Sequence, residues 1–169
     1  MTKQPRRRRQ PRATIDPIAQ FMQEHDRALT QLSALSKATQ AIAAHGFTQA
    51  AYLKILAALE YIEDEVGVHN RSEEEALFPV LERYVEGPTQ LMREEHKELR
   101  KEFSRLRKAV GKLEKTGFRK ESAEHLREAS RSMVHLFVNH IHKENHILFP
   151  LVQKFLTKDA LREVARRMV

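Results

Sequence analysis

The sequence predicts an all-α protein: an antiparallel four-helix bundle with a short fifth helix at its C-terminal end and a disordered basic arm before it. Three observations carry this expectation. Apolar residues recur at helical spacing over long stretches. Only five glycines and six prolines punctuate 169 residues, too few for a β protein with many turns. The chain also repeats itself with a period of 71 residues. Pro17 matches Pro88, Glu24-His25 matches Glu95-His96, and Gly46-Phe47 matches Gly117-Phe118. His69 and Glu73 match His140 and Glu144, and Leu77-Phe78-Pro79 matches Leu148-Phe149-Pro150. A helical hairpin used twice gives four helices with approximate two-fold symmetry. Solenoid families have shorter periods and need about three units, so they fit poorly.

Residues 1–13 form the arm. Lys3, Arg6, Arg7, Arg8, Arg9 and Arg12 stand there with two prolines and no acid. Such a segment buries too little apolar surface to offset its ordering entropy. These six charges account for most of the net charge of +7, so the remaining chain is nearly neutral. Residues 14–169 form one bundle domain, long enough to bury a core. Asp16 at an N-cap with Pro17 at the first helical position starts helix one. Ile18, Phe21, Met22, Leu29, Leu32 and Leu35 carry its apolar pattern, and His45-Gly46 ends it. Helix two is expected over about Thr48–Val85, with Tyr52, Leu53, Leu56, Leu59, Ile62, Val66, Leu77 and Leu81 in its pattern. Gly87-Pro88 then leads into helix three, about Pro88–Lys115. Gly117 separates that from helix four, about Lys120–Leu156. Pro79 and Pro150 predict a kink or break in helices two and four. A fifth helix over about Lys158–Met168 folds back as a cap.

Composition excludes several chemistries. The chain has no cysteine, so disulfides, thiolate ligands, thiol catalysis and iron–sulfur clusters are out. No apolar run approaches the roughly 18 residues of a membrane span. No apolar h-region follows the basic start, so a cytoplasmic protein is expected. The arm admits three readings: a solvated tail, a phosphate contact with nucleic acid, or a contact with anionic lipid or an acidic partner. It lacks interleaved aromatics for base stacking.

The residues that carry chemistry sit in the repeat. His69 and Glu73 are four residues apart, about 40° apart on one helix face; so are His140 and Glu144. His25 lies 21 residues before Gly46 and His69 lies 23 after it. At about 1.5 Å per residue both stand roughly 32–35 Å from the turn, hence at one level. His96 and His140 bracket Gly117 with the same counts. Each half therefore offers two histidines and a glutamate at one height. Across Gly87-Pro88 the levels match less well, and an early stop of helix two near Pro79–Arg83 would absorb the difference. Neutral imidazole binds iron, manganese or zinc, and a carboxylate can bridge two cations. The set His25, His69, Glu73, His96, His140 and Glu144 thus suits two metal ions with positions left for a small ligand. A histidine–glutamate hydrogen-bond network copied by duplication is the alternative. Six polar groups converging on an interior without partners would be costly, however.

The segments HNRSEEEALFP and HIHKENHILFP, preceded by EHDRAL and EHKELR, resemble the hemerythrin-like (HHE) cation-binding family over about Asp16–Leu156. The motif H-x3-E-x3-L-F-P occurs twice, each time 44 residues after a helical histidine. The resemblance implies an up-and-down bundle holding a non-haem di-iron centre. Its cofactor would be two iron ions (Fe2+/Fe3+) with an oxo or hydroxo bridge, zinc or manganese being possible. Oxygen-carrying members use a fifth histidine one turn after the first on helix three; here Arg100 stands there. Their fourth helix supplies an aspartate five residues after its histidine, whereas this chain has Glu144 at four. The chain thus resembles a four-histidine, two-glutamate type. Iron–sulfur repair members carry a cysteine-bearing N-terminal segment, which this chain lacks, and the ferritin-like Glu-x-x-His pattern occurs nowhere.

Of the remaining histidines, His142 and His146 lie about 200° and 240° round from His140 and are expected to face away. His45 sits in a turn, and His125 lies about 22 Å along the helix from His140. Tyr52, Tyr61 and Tyr84 read as core aromatics, with redox activity near a di-iron site as the alternative. Phe78 and Phe149 read as packing or a shield for the site. Glu65, one turn before His69, reads as an exposed residue, with a supporting contact to the site as the alternative. The expected function is binding, sensing or decomposing dioxygen, peroxide or nitric oxide at a carboxylate-bridged centre. Weak peroxide-decomposing or oxidase activity is within its reach. The alternatives are a non-enzymatic metal-binding or storage protein, or a regulatory module whose arm docks to nucleic acid or a partner.

Overall fold

The computed structural model describes residues 16–168; the basic arm lies outside the described residues. Among these there are helices and turns and no strand. Helix α1 is Pro17–His45. Its start follows from Asp16, whose side chain accepts from the Ile18 and Ala19 N–H groups at 3.0 and 3.4 Å. Its end follows from Gly46, at φ 89°, whose N–H reaches the Ile42 carbonyl. Helix α2 covers residues 49–81, with Thr48 as its N-cap. Helix α3 is Thr89–Thr116, α4 covers residues 120–155, and α5 is Lys158–Arg167. Helix α2 stops four residues before the expected Val85, and turns at Glu82–Tyr84 carry the chain toward Gly87. This early stop absorbs the level mismatch between Glu73 and His96. No described helix is long and apolar enough to cross a membrane.

The prolines do not break the helices. Each follows a π turn, Glu73–Leu77 before Phe78-Pro79 and Glu144–Leu148 before Phe149-Pro150. Proline has no N–H to give, and its ring crowds the carbonyl four residues back. Widening the preceding turn relieves both problems, with the Phe78 and Phe149 N–H groups reaching back to Glu73 and Glu144. A third π turn, Ile62–Val66, precedes His69.

The two hairpins lie side by side with their turns at one end. The equivalent residues Phe47 and Phe118 meet there, rings 3.9 Å apart. Helix α1 packs on α2 and α4, and α3 packs on α4. The interior has two apolar regions. One, toward the turns, contains Leu32, Leu35, Ile55, Leu106, Leu113 and Leu126. The other contains Phe21, Leu77, Phe78, Leu81, Leu148 and Phe149. Helix α5 closes the second by burying Ala160 and Val164; the Val164 side chain contributes up to about 1.5–3 kcal/mol and the Ala160 methyl up to about 0.8 kcal/mol. A layer of buried polar residues separates the two regions.

Candidate metal centre

All six sequence-predicted residues stand in that layer. His25 comes from α1, His69 and Glu73 from α2, His96 from α3, and His140 and Glu144 from α4. Glu73, Glu144 and His96 have no exposure at all, and His25, His69 and His140 are buried. The i, i+4 spacing in α2 and α4 and the matched hairpin heights bring them together as the sequence requires.

Their ligand atoms form two overlapping groups, His25, His69, Glu73 and Glu144, and Glu73, His96, His140 and Glu144. The two glutamates belong to both. Glu144 Oε2 lies 2.9 Å from His25 Nε2, and its Oε1 lies 3.0 Å from His140 Nε2 and 3.8 Å from His96 Nε2. Glu73 Oε2 lies 3.7 Å from His69 Nε2 and 3.4 Å from His96 Nε2. His25 and His69 bring their Nε2 atoms to 3.2 Å.

The outward nitrogens decide what these inner contacts are. Each imidazole Nδ1 faces an oxygen on a neighbouring helix. His69 faces Glu24 at 2.7 Å and His96 faces Glu74 at 2.7 Å. His140 faces Glu95 at 2.9 Å and His25 faces Asn145 Oδ1 at 2.8 Å. These oxygens accept, so each Nδ1 carries the proton and donates. In a neutral ring Nε2 is then a bare lone pair pointing inward. The inner surface consists of such lone pairs and carboxylate oxygens. Glu73 and Glu144 complete no hydrogen bond through either oxygen, nor do His96 and His140 through Nε2. At 2.9–3.8 Å such atoms need a shared proton or a shared cation between them.

Without metal, protons serve. Burial raises the Glu73 carboxyl and the Glu144 charge beside it raises it further, which His69 and His96 only partly oppose. Burial also acts to raise Glu144, but His140, His25 and His96 outweigh it and hold Glu144 well below the usual carboxylate range. Burial works against a charged His96, yet the Glu144 and Glu73 carboxylates beside it push it up to about 10. His69 and His140 are raised against burial as well, chiefly by Glu73 and Glu144 respectively. The donors are thus mixed imidazole and carboxylate, fitting iron, manganese or zinc.

Aromatic rings seal the layer. Phe149 stacks on His25 at 5.4 Å, its counterpart Phe78 stacks on His96 at 6.0 Å, and Phe21 meets His69 edge-on at 5.1 Å. Both phenylalanines of the repeated motif therefore shield the site and pack the core. A cavity of about 10 Å³, room for about one water molecule, lies against His25 and His69 and is also lined by Glu24, Ala28, Tyr61, Glu65, Val66 and Phe137. Burial raises the Tyr61 hydroxyl, so it stays protonated. A far larger cleft, about 820 Å³, lies between α2 and α3 and reaches the histidine ring of contacts only at Glu74. The small cavity touches His25 and His69, whereas the large cleft touches none of the six clustered residues.

The other histidines stay outside. His45, His125, His135, His142 and His146 are exposed, and His142 and His146 stack on each other at 4.0 Å. Glu65 is exposed yet borders the small cavity, and Tyr84, expected in the core, is instead exposed in the turn after α2. Arg100 is 57% exposed and lies 3.7 Å from Glu74.

Sequence reasoning missed the four outer partners, Glu24, Glu74, Glu95 and Asn145. A signal existed. Glu24 and Glu95 occupy one repeat position, and each holds the histidine 45 residues later. Together the four contacts close a ring around the bundle, α1 to α2 to α3 to α4 and back to α1.

A family model, the hemerythrin HHE cation binding domain, matches residues 16–152. No curated protein matches the chain significantly. The match spans all six clustered residues and all four outer partners, and the chain belongs to the hemerythrin HHE cation-binding domain family.

Proposed function

We propose that the chain is a non-haem di-iron protein that binds, senses or decomposes dioxygen, peroxide or a related reactive species. His25 and His69 would hold one iron and His96 and His140 the other, with Glu73 and Glu144 bridging. The observation that supports this best is the buried cluster of lone pairs, in which two four-residue ligand groups share both carboxylates. Iron bound there supplies one-electron redox chemistry and open positions for a small ligand.

The protein's own residues set the conditions. Glu24, Glu74, Glu95 and Asn145 fix each imidazole with Nε2 inward, as outer partners of metal-bound histidines do. Phe21, Phe78 and Phe149 keep bulk water from the layer. The small cavity beside His25 and His69 has room for about one water molecule. Tyr61 lines it, its hydroxyl protonated and donating to the Glu24 carbonyl at 3.4 Å. Arg100 replaces the fifth histidine of the oxygen carriers and points into solvent, which favours sensing or reaction over reversible transport.

The test is an optical spectrum of the iron-loaded protein, recorded anaerobically, then in air, then with peroxide. The proposal expects near-ultraviolet and visible bands that appear with oxygen and change with peroxide. A spectrum insensitive to both would leave a non-enzymatic metal-binding or storage protein.

A further inference from the structure

The 71-residue repeat allows the two halves of the cluster to be compared position by position. The inner residues are duplicated without change: His25 and His96, His69 and His140, Glu73 and Glu144. One pair of outer partners is duplicated too, Glu24 and Glu95. The other pair is not. Glu74 accepts from His96 Nδ1 at 2.7 Å, whereas its counterpart Asn145 accepts from His25 Nδ1 at 2.8 Å. The geometry is the same and the charge is not.

This difference falls on one metal position. The imidazoles of His96 and His140 are both backed by acidic side chains, Glu74 and Glu95. Those of His25 and His69 are backed by one amide, Asn145, and one acid, Glu24. A carboxylate accepting from Nδ1–H draws the proton outward and makes Nε2 a stronger donor; a neutral amide does so much less. Glu24 and Glu95 each accept from an imidazole Nδ1, at 2.7 and 2.9 Å. Each also has a second donor, Gln20 on Glu24 and the Lys143 ammonium on Glu95. Lys143 is 39% exposed, so water screens its charge and the two carboxylates act alike toward their imidazoles. Arg100 lies 3.7 Å from Glu74 but is 57% exposed, so water screens its pull on that carboxylate.

We infer that the two metal positions are unequal in affinity, and that the pair Glu74/Asn145 makes the chain fill the His96/His140 position first. This rests on the two-metal reading above. Outer partners of this kind change metal affinity about 10–100-fold, so a preference of about tenfold is expected. At limiting metal the protein would then hold one ion on the α3–α4 side. The His25/His69 position, beside the small cavity, would fill only when metal is plentiful.

Zinc is a suitable probe because it takes the same donors without redox chemistry. Full-length protein loaded with one Zn2+ per chain, and separately with excess Zn2+, would be crystallised and the anomalous signal measured at both positions. Wild type at one equivalent should show about threefold higher occupancy at His96/His140, as two independent positions differing about tenfold in affinity require. Asn145→Asp keeps the shape and adds the missing charge, and should bring the two occupancies together. Glu74→Gln removes the charge from the favoured side and should do the same from the other direction. Equal occupancies in wild type, or an unchanged ratio in both variants, would overturn the inference while leaving the two-metal reading intact. Failure of excess zinc to fill both positions would instead overturn the two-metal reading, and this inference with it.

Discussion

Glu73 and Glu144 are two carboxylates, chemically identical and fully buried in one layer, yet they are driven in opposite directions. Glu73 is raised by burial and by the Glu144 charge, while Glu144 is lowered by His140, His25 and His96. The metal-free layer therefore keeps its charge balance with protons, and its stability depends on pH. His96 moves from an ordinary 6.5 to about 10. A raised group contributes stability fully below its unfolded value and loses it as pH rises through its folded value. For His96 that contribution is present below about 6.5 and lost toward about 10. His69, His140 and Glu73 act in the same sense. Glu144 acts oppositely, its contribution being lost on acidification below 4.5. Metal-free protein is thus expected to melt at progressively lower temperature as pH rises from about 7 to about 10. Metal-loaded protein, whose cations replace those protons, should not show this fall. Melting curves of both forms across that range check the point, and a metal-free melting temperature that rises with pH would contradict it. At this scale the sequence was informative about the inner residues and silent about the outer ones. His-x3-Glu spacing puts both side chains on one face by helix geometry alone. Glu24 and Glu74 are exposed-type residues on a charged helix surface, and nothing in their local spacing says that they reach a histidine on another helix.

Among the elements, α1 carries His25 nine residues from its N-cap, so the cap bears on the site's framework without touching it. Asp16→Ala removes the acceptor for the Ile18 and Ala19 N–H groups and should lower stability by about 0.5–2 kcal/mol. For a chain of this size that corresponds to a fall in melting temperature of about 2–4 °C per kcal/mol. Metal content should stay unchanged, and calorimetry with metal analysis reads both. A loss of metal in this variant would mean that the α1 start is coupled to the cluster. Helix starts and ends were legible because Asp16-Pro17, Gly46 and Gly117 are strong local punctuation. The π turns were not. Pro79 and Pro150 announce a disturbance, but whether a helix kinks, stops or widens depends on what the neighbouring residues must reach. Here Glu73 and Glu144 must aim inward at one level while Phe78 and Phe149 cover the imidazoles, and a widened turn satisfies both.

For the molecule as a whole, the internal repeat explains how a bundle can hold a fully buried polar layer. Two apolar regions lie either side of it, and four hydrogen bonds tie its histidines around the bundle. Copying one hairpin supplied two matching half-sites whose carboxylates meet. The bundle, its cap and the convergence of six residues were legible from the 71-residue period and the matched hairpin heights. The cleft between α2 and α3 was not, because side-chain periodicity says which face is apolar but not how closely two helices approach. The direct test of the central claim is the metal content of the native full-length protein beside its His69→Ala/His140→Ala variant. The account expects about two transition-metal ions per chain in the native protein and loss of most of that metal in the variant, since one imidazole leaves each position and bare carboxylates remain buried. Unchanged metal content in a folded double variant, or a native protein that binds no metal at this layer, would contradict it.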